Sequence, residues 1–222
     1  MNIQNEVPSG LDTLIAQYVG GELGHGMSVL MASYLTLSPE ARQDLVTLEK
    51  INGALLEEAE PASMNADALD QLMARLDEPE HQEIQEVCAE TSQLNADLPA
   101  PLREFLAKPI EQGRWRFAYP GVRHMELPIG DAGETVKLLK IKPGKAAPRH
   151  THHGMEATLV LRGAFRDGER VYERGELAVA DDDVQHRPRA EGDEDCICLA
   201  VTDGALRFTD TLGRMARDFF TV

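Results

Sequence analysis

Residues 150–163 read HTHHGMEATLVLRG, three imidazoles and a carboxylate within seven positions, and then an apolar run. Imidazole and carboxylate are ligands for zinc and for other divalent first-row metals. Alternate side chains of an extended strand share a face. His150 and His152 therefore point one way and His153 the other, while Glu156, four residues past His152, has the parity of the first pair. A further ligand has to come from a neighbouring strand. His186, in ADDDVQHRP, follows the strand-like ELAVA and precedes a proline, and is the candidate. The competing reading is a polar surface cluster in a loop beside a strand.

A site of this kind needs strands, and strands dominate the chain from residue 113 onward. RWRFAYP, VRHMELP, ETVKLLKIKP, EATLVLRG, GELAVA, DCICLAVT and LRFTD are short β-type runs punctuated by Gly, Pro and Asp about every ten residues. That is the pattern of an antiparallel sandwich or barrel. The first half reads as helices. SGLDTLIAQYVGGELG carries Leu11, Leu14, Ile15, Tyr18 and Leu23 at near-helical spacing, with Ser9 as cap and the Gly20-Gly21 pair as a weak point. MSVLMASYLTL is apolar enough for a buried helix. In SPEARQDLVTLEKINGALLEEA, Ser38 is placed as N-cap and Pro39 at the first helical position, and Leu45, Leu48, Ile51 and Leu55 form an apolar stripe. NADALDQLMARLDE gives a fourth, short helix with Asn65 as cap. The expectation is an α+β two-domain chain: a helical domain over 1–76, an acidic linker without a core of its own over 77–108, interrupted by Pro99 and Pro101, and a β-barrel over 109–222.

Composition narrows the function classes. The 222 residues carry a formal charge of −16, concentrated at the front: residues 1–108 hold 5 Lys and Arg against 19 Asp and Glu. Such a half is repelled by nucleic acid and drawn to a basic protein surface, or serves simply as a solvated face. No apolar run approaches the roughly 20 residues of a membrane span, and MNIQNEVPSG lacks the basic and apolar regions of a signal peptide. Cys88, Cys196 and Cys198 are too few for a disulfide framework. A cytoplasmic location is expected.

Gly144, His150, His152, Glu156 and Gly163 fit the first cupin motif, G-x5-H-x-H-x3-E-x6-G, without a gap, and Gly175 and His186 fit a shortened second motif. The stretch resembles a cupin, a small double-stranded β-helix barrel that holds a metal inside. GALLEEAEP, RWRFAYPGVRHMELP, TLVLRGAFRD, DCICLAVTDGALRF and the terminal DFF extend the resemblance to the ChrR-type anti-sigma factors over nearly the whole chain. The resemblance implies a helical domain that sequesters an extracytoplasmic-function sigma factor. It also implies a cupin whose zinc ligands are His150, His152, Glu156 and His186 and whose zinc site serves release under oxidative stress; Cys196 and Cys198 match a cysteine pair of that family. In one respect the chain departs from the family. Its N-terminal zinc motif, a distant His plus H-x3-C-x2-C, falls here on a position near Ser9 and on Tyr34, Ser38 and Ala41, none of which replaces an imidazole or thiolate. His25 does not fit the spacing and reads as a loop histidine. The helical domain is therefore expected to fold without metal, stabilised by the apolar stripe and the Ser38 cap.

Two other readings stand beside the regulatory one. A cupin metalloenzyme of dioxygenase type would hold Fe, Mn or Ni at open positions and would need an acid or base near the metal, for which Glu169, Glu173 and Arg162 are available. A structural metal in a binding module is the third. Cys196 and Cys198 share a strand face and read first as small buried residues, and an i, i+2 disulfide would be strained. His81 and His124 read as ordinary polar positions, Trp115 as packing at the start of the barrel. Met155 lies inside the metal motif, where its oxidation would disturb the ligands. Pairing through sheet edges makes a homodimer a further expectation to test.

Overall fold

Helices precede strands in the computed structural model, which describes residues 10–76, 95–131, 133–152, 154–181, 185–204 and 206–208. Helix α1 spans Gly10–Gly20 and buries Leu14 and Ile15. Helix α2 spans His25–Leu37; it is apolar nearly all round and buries eight of its thirteen residues, as expected of a helix enclosed on most sides. Ser38 ends α2 and starts α3 (Pro39–Glu58). Its Oγ accepts from the Ala41 N–H at 3.3 Å, and Pro39, with no N–H to lose, takes the first turn. Helix α4 (Ala68–Leu76) follows a turn closed from the Ala68 N–H to the Asn65 carbonyl. Ser9 lies outside the described residues.

The strands are β1 (Arg116–Tyr119), β2 (Val122–Glu126), β3 (Glu134–Ile141), β4 (His150–His152), β5 (Glu156–Arg162), β6 (Ala164–Asp167), β7 (Arg170–Glu173), β8 (Leu177–Ala180), β9 (Arg189–Glu191), β10 (Cys196–Asp203) and β11 (Leu206–Phe208). Six of them form one sheet in the order β1-β2-β3-β10-β5-β8. Three form β7-β6-β9 and two form β11-β4. Single antiparallel bridges, His150 to His186 and Ala146 to Arg189, complete the second layer. Every pairing is antiparallel. The architecture is the expected one, helices in the N-terminal region followed by a C-terminal cupin-type barrel.

Strand β10 shows why DCICLAVT lacks alternation. It is buried on both faces, so both parities are apolar. One parity, Leu199 with Leu138 of β3 and Leu159 of β5, faces the helices and joins Leu14, Ile15, Leu30 and Met31 in one core. The other, Cys196 and Cys198 with Ile141, Val160 and Phe165, fills one end of the barrel. Helices α1 and α2 are thus the outer layer of the large sheet. Their attachment is polar as well: Glu134, at the start of β3, accepts from the N–H groups of Gly26 and Met27 at 2.9 and 3.2 Å, so a carboxylate of the barrel satisfies two orphan donors at the start of α2. Gly26 is required by this close approach, since a Cβ there would meet a Val136 methyl. His25 opens α2 instead of lying in a loop, with its ring edge-on to Phe105 at 5.8 Å.

Two expectations fail here. The segment 95–108 is not a coreless linker: Leu98, Leu102 and Leu106 enter the main core. The prolines that read as interruptions set up a helical turn at Ala100–Arg103. Buried Asn95 closes the loop, donating to the Lys108 carbonyl at 3.1 Å and accepting from the Ile110 N–H at 2.9 Å. Residues 77–94, with His81 and Cys88, lie outside the described residues. The α3 stripe, in turn, is not a core stripe. Leu45 and Leu48 are half-buried, whereas Ile51 and Leu55 are exposed.

Candidate metal centre

Register brings the sequence-distant ligands together. The backbone bridge between His150 and His186 consists of two N–H to carbonyl bonds of 3.2 Å, so their side chains project on the same face. Glu156 begins β5, paired with Thr202 of β10 and Ala180 of β8. Gly144 and Gly163, at the two ends of the cupin motif, both have φ of +66°, a conformation glycine adopts without strain; Gly163 makes the turn from β5 into β6.

His150, Glu156 and His186 have ligand atoms all within 4.8 Å of one another. Nε2 of His150 and Nε2 of His186 are 3.0 Å apart, and they lie 3.7 and 3.9 Å from the Glu156 carboxylate oxygens. Each imidazole is oriented from behind: Nδ1 of His150 lies 2.8 Å from the Pro148 carbonyl and Nδ1 of His186 lies 2.7 Å from the Asp167 carboxylate. Both partners only accept, so each Nδ1 carries its ring's proton. The two Nε2 lone pairs then face each other beside a carboxylate, which is stable only with a positive charge between them. A shared proton is one such charge and a cation the other. Two nitrogens on one tetrahedral zinc, each at about 2.0–2.1 Å, would be about 3.3 Å apart, so the donor set fits a metal with little adjustment. Acceptors behind each ring are the usual support of metal-binding histidines. Burial pulls the pKa of His150 down, but the Glu156 hydrogen bond and charge, the Pro148 carbonyl and Asp167 together push it higher still, above the ordinary value.

Of the four ligands expected from sequence, the structure brings three together. His152 occupies the last position of β4, opposite Leu206, and its side chain lies outside what is described. The enzyme-type candidates lie elsewhere. Arg162 is held by Asp97 and Glu111 at 2.6 Å each, and neither it nor Glu169 or Glu173 lines the cavity beside His150 and Glu156. That cavity, of about 60 Å³, instead contains Lys137, Cys198 and the side chains of Thr135, Thr158 and Thr202. Lys137 was legible in principle, since it has the parity of Thr135, Leu139 and Ile141, the barrel-facing row of β3. Asp167 carries no spacing signal. His124, which read as an ordinary polar position, is fully buried on β2. Cys196 and Cys198 are both buried, with sulfurs 3.5 Å apart. The hydrogen bond from Cys196 and burial raise the Cys198 thiol well above its ordinary pKa, so it rests protonated and unreactive. Trp115 packs against the core and donates from Nε1 to the Ile110 carbonyl at 2.8 Å.

Residues 104–206 match the family described as the ChrR cupin-like domain, which makes the barrel a cupin of that type. The likeness runs well beyond the barrel. Over 212 residues the chain is 38% identical to the anti-sigma-E factor ChrR of Cereibacter sphaeroides, spanning 95% of this chain and 96% of that protein. It also superimposes on ChrR from the crystal structure of Rhodobacter sphaeroides SigE in complex with the anti-sigma ChrR, with a TM-score of 0.73 and 36% identity over 91% of this chain and 100% of that one. This chain belongs to the ChrR family of anti-sigma factors. Among the described residues no helix is long and apolar enough to cross a membrane.

Proposed function

We propose that this chain sequesters an extracytoplasmic-function sigma factor on the apolar surface of α3 and α4, and that a metal in the barrel holds it in the binding state until oxidative stress alters the site. The observation that carries the reading is a patch. Nine of the ten large apolar side chains exposed among the described residues lie between Val46 and Leu76, including Leu55 at 62% and Leu76 at 70% exposure. So many exposed large apolar side chains in one stretch of the chain mark a protein interface. The acidic charge around it favours a basic partner over nucleic acid. The ChrR relative is crystallised with SigE, which supports the same class of partner here.

For the metal we propose zinc, with Fe, Mn or Ni as the alternatives an assay must distinguish, bound by His150, Glu156, His186 and, by its place in the motif, His152. A bound divalent cation would cross-link β4, β5 and the segment at His186, and so stiffen the barrel. The residues do the rest: Pro148 and Asp167 orient the rings, and β3 connects the barrel to α2 through Glu134. A chemical change at the site shifts the population toward a state that grips the partner less well. The N-terminal half binds no second metal on this reading. Tyr34 and Ala41 are buried in the core and Ser38 caps α3, so the positions of the family's zinc ligands serve packing instead.

Co-expression with the sigma factors of the same cell tests the first part: a stable one-to-one complex is expected, and failure of every one of them to bind overturns it. Elemental analysis tests the second, with about one zinc per chain and a loss of most of it in Glu156→Ala and His186→Ala. Oxygen consumption by an iron- or manganese-loaded protein would favour the oxygenase reading instead.

A further inference from the structure

We infer that the C-terminal strand β11 is the positioning element of the metal centre: it holds the ligand-bearing strand β4 by backbone pairing, so that docking of β11 and binding of the metal strengthen each other. The observation that carries this is a register. Glu156 pairs with Thr202 where β5 meets β10, and His152, Thr151 and His150 pair with Leu206, Arg207 and Phe208 where β4 meets β11. From the pair at Glu156 to the pair at His152 both strands advance four residues, so the frame set by β5 and β10 continues into β4 and β11 without a slip. The crossing between them is tied down as well. The Asp203 N–H donates to the Met155 carbonyl at 2.9 Å, and a Cβ on Gly154 would collide with the Asp203 carbonyl oxygen. The end of the chain is therefore matched against the ligand stretch at both of its ends and at its turn.

Strand β4 has little else to hold it. It is three residues long, and among the described residues its only other pairing is the single bridge from His150 to His186. That bridge uses both the N–H and the carbonyl of His150. Successive residues of a strand direct these groups to opposite edges, so Thr151 turns its own toward β11, and Thr151 with Arg207 is the hydrogen-bonded pair. Without β11, β4 would be a three-residue segment on one bridge, and ordering it would cost backbone entropy that the metal alone had to offset. With β11 docked, the backbone at His150 and His152 is fixed before the metal arrives, which is how a supporting shell raises affinity. The converse follows by linkage: a metal that binds better when β11 is docked must also dock β11 better once bound. Whatever draws β11 away from β4 then weakens the hold on the metal, and loss of the metal loosens the end of the chain. The inference rests on the metal reading for the ion, and on the pairing alone for the strand.

Zinc affinity of the full-length protein, measured by competition with a chromophoric chelator, tests one direction. Arg207→Pro removes the N–H that pairs with Thr151 and should lower the affinity at least about tenfold, the scale of lost support around metal ligands. Arg207→Ala keeps that N–H and should stay within about twofold of wild type. Wild-type affinity in a folded Arg207→Pro protein overturns the proposal, and so does an equal loss in the two variants, which would place the effect in the side chain. Hydrogen exchange of the wild-type protein tests the other direction, and decides the matter if Arg207→Pro does not fold. The Arg207 amide should exchange at least about tenfold faster in metal-stripped than in zinc-loaded protein, while the amides of α2 keep their protection. Glu156→Ala, which removes a ligand on another strand, should show the fast exchange with zinc present. Equal protection of Arg207 in the stripped and loaded states overturns the coupling and leaves the metal reading intact. A wild-type protein that binds no divalent ion ends the metal reading, and the coupling with it.

Discussion

Helix α2 buries eight of its thirteen residues, whereas α3, at twenty residues, buries Ala41 alone. The two meet at Ser38, which ends one and caps the other, so the contrast is not one of local helix formation. It follows from composition. HGMSVLMASYLTL has no Asp, Glu, Lys or Arg and is apolar on nearly every face, so it is stable only when enclosed, here by the large sheet, by α1 and by the short helix at Ala100–Arg103. PEARQDLVTLEKINGALLEE alternates charge with an apolar stripe, and among the described residues only the proximal part of that stripe, Leu45 and Leu48, finds cover. The first pair of helices shares the core of the barrel, whereas the second leaves most of its large apolar side chains exposed among the described residues.

The largest expected effect tests that division through stability. Leu30 is fully buried between α2 and the sheet, and Leu30→Ala should cost about 2–5 kcal/mol of unfolding free energy. Leu55→Ala, on the exposed stripe, should change it by less than about 0.5 kcal/mol. Urea unfolding of the two variants compares them directly. A large loss in Leu55→Ala would mean that the stripe is covered within the chain after all. The reciprocal test is binding. Leu55→Asp and Leu72→Asp should each weaken the sigma complex by about 2 kcal/mol, roughly thirtyfold, if they are interface anchors, with the melting temperature of the free protein unchanged. Equal affinity in both variants would remove α3 and α4 from the interface.

Much of this organisation is legible in the sequence, and the illegible parts share a cause. Local signals were sufficient for Ser38 and Pro39 and for the enclosed character of α2, because each depends on neighbours within a few residues; the parity of His150 and Glu156 assumed one regular strand, whereas the two stand on β4 and β5 of different sheets. That the distal part of the α3 stripe, Ile51 and Leu55, stays exposed among the described residues is not encoded by its periodicity, which is the same for a covered and an uncovered face. The same limit hid Leu98, Leu102 and Leu106. They stand between prolines in an acidic stretch, and their burial is decided by α2 arriving from sixty or more residues upstream. Lys137 shows a subtler failure: its parity was readable, but β3 is buried on both faces, so parity alone did not say which side is the barrel interior. His186 was found by motif, whereas Asp167, which orients it, has no motif to find.

A smaller effect probes the join between the two regions. Glu134→Ala removes the carboxylate that receives two N–H groups at the start of α2 and should cost about 1–2 kcal/mol, while Glu134→Gln, which keeps an acceptor but not the charge, should cost about half as much. The informative readout is hydrogen exchange: the first turn of α2 should lose protection in Glu134→Ala, and α3 should not change. If α3 loosens equally, the two helices form one cooperative unit and the proposed division is wrong.

The smallest effect is the acid response of the barrel itself. Burial lowers the pKa of His124 below its ordinary value near 6.5, the charge of Lys137 lowers it further, and Glu126 only partly offsets them. The unfolded chain therefore takes up a proton at this position at higher pH than the folded chain does. Between the two pKa values the unfolded state holds more protons, so stability falls as pH drops from about 6.5 toward the folded value and levels off below it, with a slope of at most about 1.4 kcal/mol per pH unit for one proton. Protonation of the metal ligands acts in the same direction when a metal is bound, so the quantity to measure is the difference between the wild-type and His124→Gln profiles, which should be flat above pH 7 and should open as the pH falls. Because α1 and α2 share a core with the outer face of the same sheet, their amides should lose protection together with the barrel strands over this window. Helix α3, with so little packed against the barrel, should exchange nearly as fast at pH 7 as at pH 5.5 once the intrinsic pH dependence of exchange is removed. An acid-induced loss of protection in α3 matching that of α2 would show that the exposed helix draws its stability from the barrel too.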